Sequence, residues 1–252
     1  DAGITDGQSA IGTLSIYTYK SKGNTNNPAG GSRMTNRHLA DAIQSQIVHD
    51  LRQLQDSIWS RRWIWDRSYY ESRVPPCPAI LLELLSHQNF RDMRYGLDPQ
   101  FQFDASRAVY KGILKYLSNR YQQSYVVQPL PIKDLSVRFC RDSSAILNKA
   151  VISWKKVLDP IEPTAKADGY ILYTKKDNGG FDEGRVLTSV TTKGKRISTE
   201  INLEPGHIYS FKVAAYNKGG KSFAIENVSI GAPAQLDSAM ASKLVLVVNN
   251  FD

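Results

Sequence analysis

Cysteine is scarce in this chain of 252 residues: only Cys77 and Cys140 occur, and they fall in segments of different character. Their separation predicts no disulfide between them, and neither sits in a metal-ligand spacing. Histidine is scarce too, with four residues: His38, His49, His87 and His207. No run of eighteen apolar residues occurs, which excludes a hydrophobic transmembrane helix. No block of five or more Lys and Arg occurs, which removes the usual signature of a nucleic-acid tract. There is no signal-peptide pattern and no initiator Met. The opening Asp1-Ala2-Gly3 is therefore expected to lie inside a longer polypeptide that carries its targeting information elsewhere.

What is present is a diffuse positive balance. The formal net charge is +8, with 15 Lys and Arg against 11 Asp and Glu over residues 1–132 and 17 against 13 over the rest. Such a surface suits an anionic partner such as a cell-wall polymer, and it equally suits a plain soluble surface. A hydrophobic fraction of 41% still allows a packed core.

The stretch 71–121 organises the first half. Pro75, Pro76 and Pro78 force an extended approach to Ala79-Ile80-Leu81-Leu82, and the apolar run stops at Glu83. A short run bounded in this way predicts a strand buried on both faces, as in parallel sheets. Sites in open α/β sheets lie past the carboxyl ends of such strands, which makes Glu83 a candidate catalytic group. Its bland reading is a strand-end carboxylate that caps a helix or pairs with an arginine.

Around that strand the pattern predicts an α/β layer. Alternation over residues 12–20 predicts a strand with Leu14, Ile16 and Thr18 on one face. Residues 21–32 predict a polar loop. Leu39, Ile43, Ile47, Leu51, Leu54 and Ile58 predict a helix over residues 36–59. Residues 59–70 interleave three tryptophans with three arginines, which suits stacking on sugars and also suits a half-buried strand with solvated arginine heads. Asp98-Pro99 predicts the start of a second helix reaching residue 121. The set is too small to close a sheet, so residues 1–121 are expected to pair with another segment or another copy.

Beyond a Pro-containing linker over residues 122–133 the pattern changes to short alternating strands with frequent turns. Residues 203–222, LEPGHIYSFKVAAYNKGGKS, resemble the late-strand signature of fibronectin type III domains. Tyr209 matches the corner tyrosine of that family and Trp154 its buried core tryptophan. The resemblance implies a seven-stranded immunoglobulin-like sandwich that spaces or presents other modules. Residues 242–252, SKLVLVVNNFD, read as an extra strand or as the first strand of a further domain.

Four motifs in order resemble the C-terminal half of the zinc-dependent N-acetylmuramoyl-L-alanine amidases. Asn36-Arg37-His38-Leu39-Ala40-Asp41-Ala42-Ile43 loosely matches a Ser-x-x-Leu-Ala-x-x-Ile helix opening. Pro78-Ala79-Ile80-Leu81-Leu82-Glu83 matches the strand that ends in glutamate. An Asn-containing loop follows, and then Leu97-Asp98-Pro99-Gln100-Phe101-Gln102 opens the final helix, with Gly112-Ile113 near its end. The resemblance implies an α/β fold and a peptidoglycan substrate. It implies a zinc ion and Glu83 as the acid/base that deprotonates the attacking water and reprotonates the leaving L-alanine amine.

The Gly-Phe and Ser-Asn that follow the glutamate in that family are replaced here by Leu85-Ser86 and Gln88-Asn89. His87, Asn89 and Arg73 are candidate substrate contacts. The zinc ligands of the family are not visible, and the resemblance places them upstream of Asp1. His38 and His49 cannot replace them: eleven residues apart on one helix, they are about 16 Å apart along its axis, against zinc–nitrogen bonds of about 2 Å.

The expected organisation is thus a partial amidase-like α/β sandwich over 1–128, a fibronectin type III β-sandwich over 129–235, and the start of a further element over 236–252. Function is expected to be a secreted, periplasmic or envelope hydrolase acting on peptidoglycan. The alternatives are a non-catalytic cell-wall or polysaccharide-binding protein, and another polysaccharide-degrading enzyme such as a xanthan lyase built on Tyr69, Tyr70 and Arg73. An upstream His, Glu, His series would favour the amidase.

Overall fold

The computed structural model describes residues 12–140 and 149–233. The chain divides into two compact units, Asp1–Tyr125 and Val126–Asp252. Residues 1–11 and 236–252, for which a loop and a further strand are expected, lie outside the described residues.

The first unit is a three-stranded sheet with two long helices. Strand β1 (Thr13–Tyr17) is central, flanked by β2 (Arg61–Asp66) and β3 (Leu81–Glu83). β2 runs parallel to β1 and β3 runs antiparallel to it. Helix α1 (Met34–Leu54) joins β1 to β2, as a parallel crossover requires. A short helix α2 (Tyr70–Arg73) precedes β3, and α3 (Phe90–Gly96) and α4 (Pro99–Tyr121) follow it.

The main core lies between the helices and one face of the sheet. Ile43, Ile47 and Leu51 of α1 meet Phe101, Ala105 and Ala108 of α4, with Ile80, Leu82 and Leu84 packed against them. Trp59 is completely buried there, and its indole Nε1 donates to Thr13 Oγ1 at 2.9 Å. Its ring sits 5.4 Å from Tyr95 and 5.5 Å from Phe101. The other sheet face carries a small separate cluster of Leu14, Ile16, Trp65 and Leu81.

Two expectations are corrected. The strand at Leu81–Glu83 is half-buried and antiparallel, not fully buried in a parallel sheet. Antiparallel strands tolerate one wetter face, whereas all-parallel sheets are covered on both. The first helix stops at Leu54 instead of reaching Trp59. Ile58 continues the apolar spacing in sequence yet is 78% exposed. The chain breaks there because the Asp56 carboxylate accepts the Ile58 N–H at 3.1 Å, a local turn that competes with the helix.

That carboxylate also anchors α3. Arg91 Nη2 and the Tyr95 hydroxyl both donate to Asp56 Oδ2, at 3.2 and 3.1 Å. Burial alone would raise the Asp56 pKa, but the bonds from Ile58, Arg91 and Tyr95 outweigh it and hold the carboxyl below its ordinary value.

The two long helices cross closely at Gly112. A Cβ placed there would lie 2.6 Å from Ile43 Cα, well inside contact distance. The glycine therefore exists to let the backbones approach. Gly112→Ala is expected to destabilise the unit by about 1–3 kcal/mol through forced separation of α1 and α4, despite alanine's better helix propensity. Thermal unfolding checks this, and an unchanged or raised midpoint would refute it.

The second unit is a β-sandwich. One sheet is β4 (Lys133–Phe139), β5 (Lys149–Lys155), β9 (Arg196–Asn202) and β8 (Thr191–Lys193), in that order. The other orders β11 (Gly220–Lys221), β10 (Ile208–Asn217), β6 (Gly169–Lys176) and β7 (Arg185–Val186), with β12 (Val228–Gly231) also on β10. Among the described residues the sandwich thus has nine strand segments where seven are expected, because β7 and β11 are two-residue edge pieces.

Its inward residues alternate along each strand, as sandwich strands require. Ile152 and Trp154 of β5 face Leu172 of β6 and Phe211 and Val213 of β10. Trp154 is fully buried, edge-on to Tyr170 at 5.1 Å. The Tyr209 hydroxyl accepts the Glu204 N–H at 3.2 Å, which fastens the β9–β10 corner.

Candidate functional site

Glu83 is the last residue of β3 and stands directly opposite Leu14 of β1. Side chains alternate across a strand. Leu82 packs toward the helices, so Glu83 and Leu81 emerge on the other face, the face that carries Leu14, Ile16 and Trp65. Glu83 is neither sealed in nor fully exposed, and it is not without a partner in the fold. The rule that places sites beyond the carboxyl ends of parallel strands does not apply here. β3 runs against β1 and β2, so its carboxyl end lies beside their amino ends. Glu83 instead borders the entrance of β1, where Gly12 leads in with φ +89° and Thr13 N donates to Ser60 O at 3.0 Å.

The loop after Glu83 is a buried polar knot. Ser86 N donates to Asp92 Oδ2 at 2.8 Å, Asn89 N donates to Ser86 O at 3.0 Å, and Asp92 N donates to Asn89 Oδ1 at 3.1 Å. Ser86, Asn89 and Asp92 are all completely buried. Asn89 thus works as the N-cap of α3. His87 lies on the same loop with its side chain exposed. This closed loop fixes the residues that follow Glu83 and limits how far they can move toward a ligand.

Arg73 is at the opposite end of the sheet. It follows Ser72, whose hydroxyl bonds Thr18 Oγ1 at 2.7 Å. Asn36 Nδ2 donates to Thr18 O and Ser72 O there, and Arg33 Nη2 donates to Arg73 O at 2.7 Å. Arg73 itself lies over the Tyr70 ring at 5.8 Å. The fold therefore brings Glu83, His87 and Asn89 onto one strand-loop segment and leaves Arg73 about four β1 residues, roughly 13 Å, away. Asn36, singled out only as the start of a motif, is the buried bracket that holds that far end.

His38 and His49 both lie on α1, and His49 Nδ1 sits 3.0 Å from Asp50 Oδ1. His207 belongs to the sandwich and pairs with Asp177 at 2.7 Å. Among the described residues no three His, Cys, Asp or Glu side chains are grouped to hold a metal ion. The described residues therefore do not make the zinc site that the amidase resemblance implies. No helix among the described residues is long and apolar enough to cross a membrane.

The second unit is settled by comparison as well as by its corner tyrosine. The model of the family described as "Fibronectin type III domain" matches residues 131–230. Residues 131–230 form a fibronectin type III domain. Solved structures similar to this chain include one titled "Myokine structure", at 24% identity over 42% of this chain and 99% of that one, with a TM-score of 0.30. The FN1–FN3 domains of chicken CNTN1 match at 18% identity over 42% of this chain and 31% of that one, TM-score 0.32. The third fibronectin III domain of human KIAA0343 matches at 18% identity over 45% of this chain and 90% of that one, TM-score 0.32. This chain thus spans under a third of the CNTN1 fragment. No curated protein matches it. The chain is multidomain, with a mixed helix-and-sheet unit ahead of the fibronectin type III domain.

Proposed function

We propose that the first unit is the C-terminal part of an amide hydrolase of the N-acetylmuramoyl-L-alanine amidase type, acting on peptidoglycan, with Glu83 as its acid/base. The observation that carries the reading is the position of Glu83. A carboxylate is fixed by strand register beside the entrance of β1, on the sheet face turned away from both long helices. A carboxylate so held can accept the proton of an attacking water and return it to the departing amine. Immobilising that group on a strand, with a closed loop behind it, supplies the positioning that proton transfer needs.

The order of motifs supports the same reading: Asn36 to Ile43 lie in α1, Glu83 ends β3, Asn89 caps α3 and Asp98-Pro99 opens α4. The substrate implies a secreted, periplasmic or envelope location. The fibronectin type III domain then acts as a spacer or presenter for the hydrolytic unit.

Product analysis with the intact polypeptide tests the proposal. Incubated with purified muropeptides, it is expected to release new L-alanine amino termini without new reducing ends. New reducing ends would mean cleavage of the glycan. An unsaturated uronate product from xanthan would mean a lyase. Binding of muropeptide with no amine released would mean a non-catalytic wall-binding protein. Each of these three results overturns the amidase reading.

A further inference from the structure

The outer face of the β4-β5-β9-β8 sheet carries a pattern that the net charge does not reveal. Residues directly opposite on neighbouring antiparallel strands share one face of the sheet. Lys133 of β4 stands opposite Lys155 of β5, Lys155 opposite Arg196 of β9, and Arg196 opposite Lys193 of β8. Four cations therefore form one row across all four strands. Trp154 and Ile197, the neighbours of Lys155 and Arg196, pair with each other and lie in the core, so the row faces solvent. All four residues of the row are exposed. With strands about 4.8 Å apart, the row is roughly 14 Å long.

Like charges directly opposite one another cost stability in a sheet. Among the described residues, the row has one ion pair to offset that cost, between Lys155 Nζ and Asp134 Oδ2. The β4 register shifts between Lys133 and Ser136, and Asp134 sits in that irregularity with φ 51°. Arg196 Nη2 donates to Asp134 O at 3.3 Å and to Ser136 Oγ at 3.2 Å. Lys155, Arg196 and Lys133 together hold the Asp134 carboxyl below its ordinary value. Lys156 and Lys195 add two cations beside the row, with Lys156 N donating to Lys195 O at 3.0 Å.

The next row on the same face is made of hydroxyls. Ser136, Ser153, Ser198 and Thr191 stand opposite one another in that order. Ser136 Oγ and Ser153 Oγ lie 2.9 Å apart.

We propose that this face of the fibronectin type III domain binds an anionic polysaccharide. The Lys133–Lys155–Arg196–Lys193 row takes its carboxylate or sulfate groups, and the hydroxyl row takes its sugar hydroxyls. Four cations in line suit a chain of repeated charges better than a single ion. The surroundings of the cations select the class of chain. Single-stranded nucleic acid is held on aromatic side chains, and neither row contains one. The domain then holds the polypeptide on a polymer, whatever the first unit catalyses.

Titration of the intact polypeptide with dextran sulfate at graded salt tests this, with uncharged dextran expected not to bind. Lys133→Gln/Lys193→Gln, which removes both ends of the row, is expected to weaken binding about tenfold. It is also expected to flatten the dependence on salt. Its thermal midpoint is expected to hold or rise, because like-charge opposition is relieved. Lys218→Gln/Lys221→Gln makes the same charge change at exposed positions of the other sheet and is expected to leave affinity unchanged.

Absence of dextran sulfate binding overturns the proposal, and so does equal weakening by the two double variants. Tighter binding of oligodeoxythymidylate or of phosphatidylglycerol vesicles than of dextran sulfate also overturns it, since the row would then serve a nucleic acid or a membrane.

Discussion

Lys111→Met is expected to lower the stability of the first unit by about 3–5 kcal/mol, a fall in its thermal midpoint on the order of 10–20 °C. Lys111 and Asp50 form an ion pair between α4 and α1, with Nζ 3.0 Å from Oδ2, and their side chains are only 2% and 3% exposed. Asp50 also accepts from Gln46 Nε2 at 2.8 Å, and His49 Nδ1 lies 3.0 Å from it. Removing the ammonium leaves a carboxylate buried against neighbours that cannot neutralise it fully. A surface pair is worth little, because water replaces the lost partner. Water does not reach this one.

The double variant Asp50→Leu/Lys111→Met separates that penalty from simple packing loss. Replacing both members of a buried pair with apolar groups is often neutral, so the double variant is expected to recover most of the midpoint. Two-unit unfolding followed by calorimetry reads this directly, since the fibronectin type III transition serves as an internal reference. If the single variant moves the midpoint by less than about 2 °C, which is well under 1 kcal/mol, the pair does not carry the load assigned to it.

Much of the architecture was legible because it rests on local signals. Asp98-Pro99 announced α4, and the Asp98 carboxylate does accept the Gln100 N–H at 2.9 Å. Tyr209 and Trp154 announced the sandwich, since a corner hydroxyl and a large buried indole are demanded by its geometry. The closed spacing of Ile43, Ile47 and Leu51 announced the buried face of α1. These features depend on residues within one element or one turn.

What was not legible depends on partners far apart in sequence. Nothing in Ala79-Ile80-Leu81-Leu82 reveals which way its neighbour runs, so an antiparallel, half-buried β3 looks the same as a buried parallel strand. Ile58 kept the helical spacing but is exposed, because a turn closed by Asp56 outcompetes another turn of helix. A bulge in β2 at Arg62–Trp63 left no trace in the alternation. Its only sequence correlate is Gln44, a polar residue whose place inside the core becomes visible once α1 is packed on β2. Asn89 was legible as a loop residue, but its burial and its bond to Asp92 N follow from the closure of α3.

The rate of amine release from muropeptide by Glu83→Gln in the intact polypeptide tests whether Glu83 is the acid/base. Gln keeps the size and hydrogen-bonding shape of the side chain but cannot take a proton. Loss of a positioned acid/base typically costs about 10²–10⁴ in rate. A fall of at least a hundredfold is expected, with an unchanged thermal midpoint and unchanged muropeptide affinity. A variant that keeps its rate within a fewfold would contradict it, and Glu83 would then be a structural strand-end carboxylate.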